Sequence, residues 1–271
     1  KMKKIIFRII ITIILALFFL TLYLSTVGIK TNKFNSKIIS QIQNIKPNIQ
    51  LKINDVNIRL NLFALTLDVK TIGTDLIYKN KIIKLDNIKS KISIKSIINN
   101  QFALSEILIS TKSLHIKDLI SFIRLLNNDP KLFIAEQFIE NGYIVAELKL
   151  EFDEFGKVKN NYKVNGLVND GEISLLSKRL SKLNFIFQIV DNELKFSDAK
   201  LLLNNKSIII PELIAIKQDN NFLVSGKIKS KNLDFKEKDI KDFIDNEFLK
   251  INLKEIIFTS DSDFSFKINK N

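Results

Sequence analysis

Ile144-Val145-Ala146-Glu147-Leu148-Lys149-Leu150-Glu151-Phe152 sets apolar against charged residues with a period of two, and that rhythm decides the fold. Successive side chains of an extended strand point to opposite faces. Ile144, Ala146, Leu148, Leu150 and Phe152 therefore share one face, and Glu147, Lys149 and Glu151 the other. The same rhythm recurs in both directions along the chain. N-terminal to it stand Leu51, Ile53, then Val56, Ile58, Leu60, with a phase slip at Asn54-Asp55 that predicts a bulge; Leu65, Leu67, Val69; and Ile88, Ile92, Ile94. C-terminal to it come Val164, Gly166, Val168; Leu183, Phe185, Phe187, Ile189; Ile208, Ile210; Phe222, Val224, Gly226, Ile228; and Phe264, Phe266, Ile268. These runs predict about a dozen antiparallel strands. Turns are expected at Asp153-Glu154-Phe155-Gly156, Asn169-Asp170-Gly171 and Gln218-Asp219-Asn220-Asn221.

Helical pattern is sparse. Asp118 to Leu126, with Asp118 as N-cap, Leu132 to Ile139 after Pro130, and Lys236 to Phe248 have helical spacing. Phe34, Ile38, Ile42 and Ile45 predict a short amphipathic connector ended by Pro47 and packed on the domain that follows.

Ile9 to Ile29 is a run of 21 positions without a charge. As a helix it is about 31 Å long, close to the hydrocarbon thickness of a bilayer. A cleaved signal peptide has a shorter apolar region ending in small residues, and Ser25-Thr26-Val27-Gly28 is a poor cleavage site, so an uncleaved anchor is expected. Lys1, Lys3, Lys4 and Arg8 precede the run and Lys30, Lys33 and Lys37 follow it, which leaves only a weak preference for a cytoplasmic N-terminus. The expected division is a membrane anchor with a basic stub over 1–29, a connector over 30–50, a β-rich segment with helices over 51–140, and a segment of repeated strands over 141–271.

The chain has 271 residues, 46% of them apolar, and a net charge of +13. Nucleic acid is not the expected partner. The cations are 38 Lys and 4 Arg, spread along the chain without a basic stripe, whereas base and phosphate recognition favours the bidentate guanidinium. With no Cys there is no disulfide, thiolate metal site or catalytic thiol, and with one histidine there is no Ser-His or multi-histidine centre. In Ser113-Leu114-His115-Ile116 the histidine alternates with Leu114 and Ile116, which places it on the solvent side of a strand. Gly166 and Gly171 have phosphate-loop spacing, but Glu172-Ile173 stands where Lys and Ser or Thr are needed. Acidic groupings such as Asp261-Ser262-Asp263 and Asp239/Asp242/Asp245 lack the Ca²⁺-loop pattern and read as surface charge. No enzyme, cofactor or metal is expected.

An apolar sheet face must be hidden by closing into a sandwich or barrel, by helices, or by an occupant that is not protein. Periodicity leaves the sandwich and the open trough both standing. The candidate residues, on the cleanest single-face sets, are Leu65 and Leu67; Leu148, Leu150 and Phe152; Phe185 and Phe187; Phe222 and Val224.

The basic stub, single span and short helix, followed by Pro47-Asn48-Ile49-Gln50-Leu51-Lys52-Ile53 opening a run of alternating strands, resemble the AsmA-like family. The later stretch Leu148 to Val158, Tyr162-Lys163-Val164-Asn165-Gly166 and Gly171-Glu172-Ile173-Ser174-Leu175-Leu176 is similar to the repeating strand units of the YhdP-type branch of that family, a group that also includes TamB-type members. Nearly the whole chain takes part, and the resemblance is one of pattern with no catalytic signature. It implies a mainly β protein: a transmembrane helix, then a long curved antiparallel sheet forming a taco-like groove or open barrel with a few short helices. It also implies a bacterial inner-membrane anchor with the N-terminus in the cytoplasm, and a periplasmic body whose apolar groove carries phospholipid toward the outer membrane. An outer-membrane or periplasmic partner protein goes with that role. Members of the family are longer, so the resemblance implies an N-terminal portion or a short member. The alternative function is a membrane-tethered β-rich scaffold for envelope assembly that carries no lipid.

Overall fold

The computed structural model describes residues 2–45, 48–79, 81–99, 101, 103–126, 129–175, 178–203, 205–218, 221–236 and 255–269. Its elements are α1 (Met2–Thr26), β1 (Ile29–Thr31), α2 (Asn35–Ile45), β2 (Ile49–Asn61), β3 (Thr66–Tyr78), β4 (Lys81–Ser93), α3 (Ile94–Ile98), β5 (Leu104–Thr111), β6 (Leu114–His115), α4 (Ile116–Leu126), α5 (Pro130–Phe138), β7 (Ile139–Glu151), β8 (Lys163–Leu175), β9 (Lys178–Val190), β10 (Glu193–Leu203), β11 (Lys206–Gln218), β12 (Asn221–Lys236) and β13 (Glu255–Asn269). The strands form one open antiparallel sheet in the order β1-β2-β3-β4-β5-β7-β8-β9-β10-β11-β12-β13, with β6 also on β7. The described strands thus make a single sheet and not the two sheets of a sandwich. The chain divides into two compact units: residues 1–112 with 147–162, and residues 113–146 with 163–271. The boundary expected at 140 falls inside β7, because α5 runs into that strand without a linker.

In the first unit, Lys4–Thr26 of α1 is long and apolar enough to cross a membrane, and 0% of it is buried against the chain. The helix ends before the charge-free run does. Val27 and Gly28 both donate their N–H to Tyr23 O, at 2.9 and 3.1 Å, and Gly28 takes a φ of +79°, the left-handed conformation that closes helices. A Cβ on Gly28 would stand 2.5 Å from Ile58 O and 2.6 Å from Arg59 Cγ, so this glycine also lets the chain turn tightly into the sheet. Ile29, expected in the anchor, opens β1 and pairs with Ile58.

The connector helix is present as α2. Asn35 Nδ2 donates to Ile53 O and Asn54 O at 3.0 and 2.9 Å, and Ile38 and Ile39 pack on Leu51, Ile53 and Val56. Val56 is 0% exposed. Each such aliphatic side chain contributes about 1.5–3 kcal/mol relative to leaving it in water.

The slip at Asn54-Asp55 is real, but it is not an extra residue in one strand. Ile53 pairs with Thr74 and Val56 with Thr71, so β3 slips with β2 at Ile72-Gly73 and their register is unchanged. Gly73 has φ +62° there. β4 interrupts its own alternation at Asp86-Asn87, in line with the other two, since Leu85 pairs with Thr74. Ladder bonds lost at the slip are replaced by hydroxyls. Thr74 Oγ1 donates to Thr71 Oγ1 at 2.7 Å, and Thr71 Oγ1 accepts from the Ile88 N–H at 2.8 Å, both threonines being buried.

In the second unit, α4 begins at Ile116, so Asp118 lies in the first turn and not at the cap, where its charge still suits the helix dipole. Pro130 starts α5, as its fixed φ favours. Arg124 Nε meets Glu136 at 3.2 Å, and Ser121 donates to the same carboxylate. β8 to β13 then run as a meander. Asn169-Asp170-Gly171, read as a turn, is a bulge inside β8: Asp170 has φ +50° and Gly171 pairs with Leu183. Left-handed residues recur on the following strands at Lys182, Asp198 and Asn232, each at a register shift. Ser197 pairs with Glu212 and Ala199 with Ile210, which sets Pro211 opposite Asp198, where no N–H is required. The helix expected over Lys236–Phe248 lies, beyond its first residue, outside the described residues.

Candidate functional site

Cross-strand register shows which side chains share a face. In the first unit, Leu60 pairs with Leu67, Leu67 with Ile92, and Ile92 with Leu104. A second row runs Ile58, Val69, Ser90, Ile107, Leu150, and a third joins Ile88, Ile109 and Leu148. These side chains are half-buried, unlike the buried Leu51, Ile53 and Val56 beside α2. Ile58, Val69 and Ile88 pack against that cluster, and the apolar face continues past them to Leu67, Ile107, Leu148 and Leu150. Leu67, Leu148 and Leu150 lie on it. Phe152 follows two residues on and bridges to Val158 in a short hairpin. Leu65 does not belong to a strand. It ends the turn after β2 with φ +49° and is 57% exposed; Asn61 Oδ1 caps that turn by accepting from the Ala64 N–H at 3.1 Å.

The second unit has an equivalent face. One row is Val164, Ile189, Leu194, Ala215, Val224, Phe266; the next is Gly166, Phe187, Phe196, Leu213, Gly226, Phe264. Six strands at about 4.8 Å spacing make each row roughly 24 Å long. Both glycines stand opposite a phenylalanine whose ring lies over them. An added Cβ would come within 2.3 Å of the Phe187 ring at Gly166, and within 2.9 Å of the Phe264 ring at Gly226. The rings are thereby held against the sheet. Phe185 meets Phe196 edge to face at 5.2 Å and lies 6.2 Å from Phe187. Phe185 and Phe187 are half-buried, Val224 is 8% exposed, and Phe222 is exposed at the start of β12 on the same face. The candidate residues thus form two sets, one in each unit. Sequence alternation missed Phe196, because the bulge at Asp198 breaks the rhythm of β10.

The opposite faces carry ion pairs, beside apolar residues such as Ile186, Ile214, Ile216 and Leu223 in the second unit. In the first unit Lys91 bonds Glu106 at 3.0 Å, Lys149 bonds Glu106 at 3.3 Å and Glu151 at 2.8 Å, and Lys159 approaches Glu151 at 4.0 Å. In the second, Lys195 pairs with Glu212, and Lys227 and Lys229 share Asp261. The Lys149 ammonium, then Asn161, hold the Glu151 carboxyl below the usual carboxylate range, while Glu151 and then Glu106 raise Lys149. A lowered carboxyl contributes fully above its unfolded value, near 4.3, and its contribution is lost as pH falls through the folded value. A raised ammonium contributes below about 10.4, and its contribution is lost as pH rises through the folded value. Glu151→Gln is therefore expected to cost less than about 1 kcal/mol at neutral pH, because the group is partly solvated, and less still near pH 3. Urea unfolding at the two pH values checks this; an equal cost at both would contradict it.

His115 is exposed on β6 and lies 4.4 Å from the Tyr143 ring. It borders a cavity of about 240 Å³ with Lys117, Asp118, Glu140, Asn141 and Gly142. Glu140 is already engaged by Ser174 and, at 3.9 Å, by Arg179. Among the described residues no three His, Asp or Glu side chains converge as a metal site would require. No family model, no curated protein and no solved structure matches the chain.

Proposed function

We propose that this is a membrane-anchored protein that carries phospholipid acyl chains on the apolar face of its sheet, with no cofactor and no covalent chemistry, as its likeness to AsmA-like proteins implies. In this reading α1 anchors it in a bacterial inner membrane and the β-rich body stands in the periplasm, passing lipid toward the outer membrane, where a partner protein would receive it. The observation that carries the reading is the set of in-register apolar rows in each unit, most of whose side chains stay half-buried. Each CH₂ moved from water onto such a surface gains about 0.8 kcal/mol, so an acyl chain gains on the order of 10 kcal/mol while its headgroup stays wet. Rows of similar composition offer similar affinity at successive strands, which suits sliding better than trapping.

The test is photo-cross-linking of the full chain in vesicles whose phospholipid carries a diazirine on the acyl chain. Adducts are expected on Leu150, Phe187 and Leu213 and not on Lys149 or Glu212; adducts confined to α1 would overturn the reading. One feature favours the scaffold alternative. Among the described strands β13 lies at the edge of the sheet, with 15 residues of which Ile257, Phe266 and Ile268 are exposed, a surface suited to pairing with a partner's strand. That role predicts an intact fold with no lipid adducts beyond α1.

A further inference from the structure

Three exposed apolar segments meet at one end of the first unit's sheet. The β2–β3 turn carries Leu62, Phe63 and Leu65; α3 carries Ile97 and Ile98; and the hairpin after β7 carries Phe155, which is 78% exposed. Register places them together. Thr66 pairs with Ser93, the Ile94 N–H donates to Leu65 O at 3.0 Å, Ile92 pairs with Leu104, and the Phe152 N–H donates to Ser105 O at 3.0 Å. The group spans the ends of β3, β4, β5 and β7, about 15 Å across.

The helix α1 leaves the sheet at this same end. β1 runs from Ile29, opposite Ile58, to Thr31, opposite Val56, and so travels away from the turn. Gly28 and the last turn of α1 therefore lie on the side of Arg59, only about 10 Å of strand from Leu62. If α1 spans a bilayer, the end of the sheet beside its last turn faces that bilayer's surface. Large side chains such as Phe63 and Ile98, which would otherwise face water, are the kind that insert at the headgroup and acyl boundary.

We infer that this end of the first unit is seated in the membrane interface, with Phe63 and Ile98 inserted among the lipids. The inference rests on the anchoring role of α1 proposed above, and it adds the point at which lipid would enter, since the row Leu60, Leu67, Ile92, Leu104 ends at this tip. Charge has a minor part. Lys95 and Lys157 share the tip with Asp153 and Glu154, so attraction to anionic headgroups nearly cancels.

The chain contains no tryptophan, so single reporters can be placed. Phe18→Trp in α1, Phe63→Trp and Ile98→Trp at the tip, and Ile82→Trp at the other end of the sheet are compared in the full chain, in phosphatidylcholine vesicles with brominated acyl chains. Deep bromines are expected to quench the reporter at 18. Shallow bromines are expected to quench those at 63 and 98 by at least about twofold, with a blue shift, and to leave the one at 82 unchanged. Quenching at 18 without quenching at 63 and 98 overturns the tip and leaves the anchor standing, and no quenching at 18 overturns both. Quenching at 63 and 98 that requires anionic lipid also overturns the inference, because adsorption by charge would then replace insertion.

Discussion

Leu150→Asp and Phe185→Asp are each expected to abolish acyl-chain cross-linking to their own unit while leaving a folded protein. Both side chains are half-buried, so an introduced carboxylate can reach water at modest cost. What it removes is the dry contact an acyl chain needs, since a charged group beside the chain must be desolvated. Cross-linking yield is the readout for lipid, and far-UV circular dichroism with urea unfolding is the readout for fold. A cooperative loss of structure with either substitution would mean that the face is a packed core in which an unpaired charge is not tolerated, and would defeat the lipid reading.

Val56→Asp is expected to do the opposite. Val56 is 0% exposed at the centre of the cluster that joins α2 to β2, β3 and β4. A carboxylate there has no route to solvent, which costs at least about 4 kcal/mol, a large share of the 5–15 kcal/mol that holds a domain together. Val56→Ala, which removes two methyls and leaves a small cavity, is expected to cost about 2 kcal/mol. Hydrogen exchange of the β2, β3 and β4 amides should rise steeply in the first variant and modestly in the second. If Val56→Asp stays as protected as the parent, α2 does not cover this cluster.

The pairing of these variants shows what the sequence could and could not reveal. The period of two exposed most strands and their shared faces, and the three- and four-residue spacing of Phe34, Ile38, Ile42 and Ile45 exposed the short α2, because each signal is local. It failed where local rhythm and tertiary demand part. Ile94 continues the alternation of β4, yet Ser93 Oγ accepts from the Ser96 N–H at 3.1 Å and starts α3 instead. Leu65 has the right spacing for a strand, yet the turn after Asn61 must close before Thr66. β5 and β10 went unread because bulges beside Leu104 and Asp198 interrupt their pattern. Which apolar faces stay half-buried was invisible for a different reason: it depends on what lies across the sheet, and alternation reads the same whether the neighbour is protein, lipid or water.

The bulges that hid those strands solve a problem posed by this composition. A meander rich in aliphatic residues and lysine is nearly self-similar, and a strand displaced by two residues would still turn its apolar side the right way. Lys182, Asp198 and Asn232, with Pro211 facing Asp198, work as keys cut into neighbouring strands. A displaced strand would press the proline, which has no N–H to give, into a regular ladder position, and would force a left-handed residue where an extended one belongs. Hydrophobic alternation sets which way each strand faces, and these keys set which of several look-alike alignments the folding chain can keep.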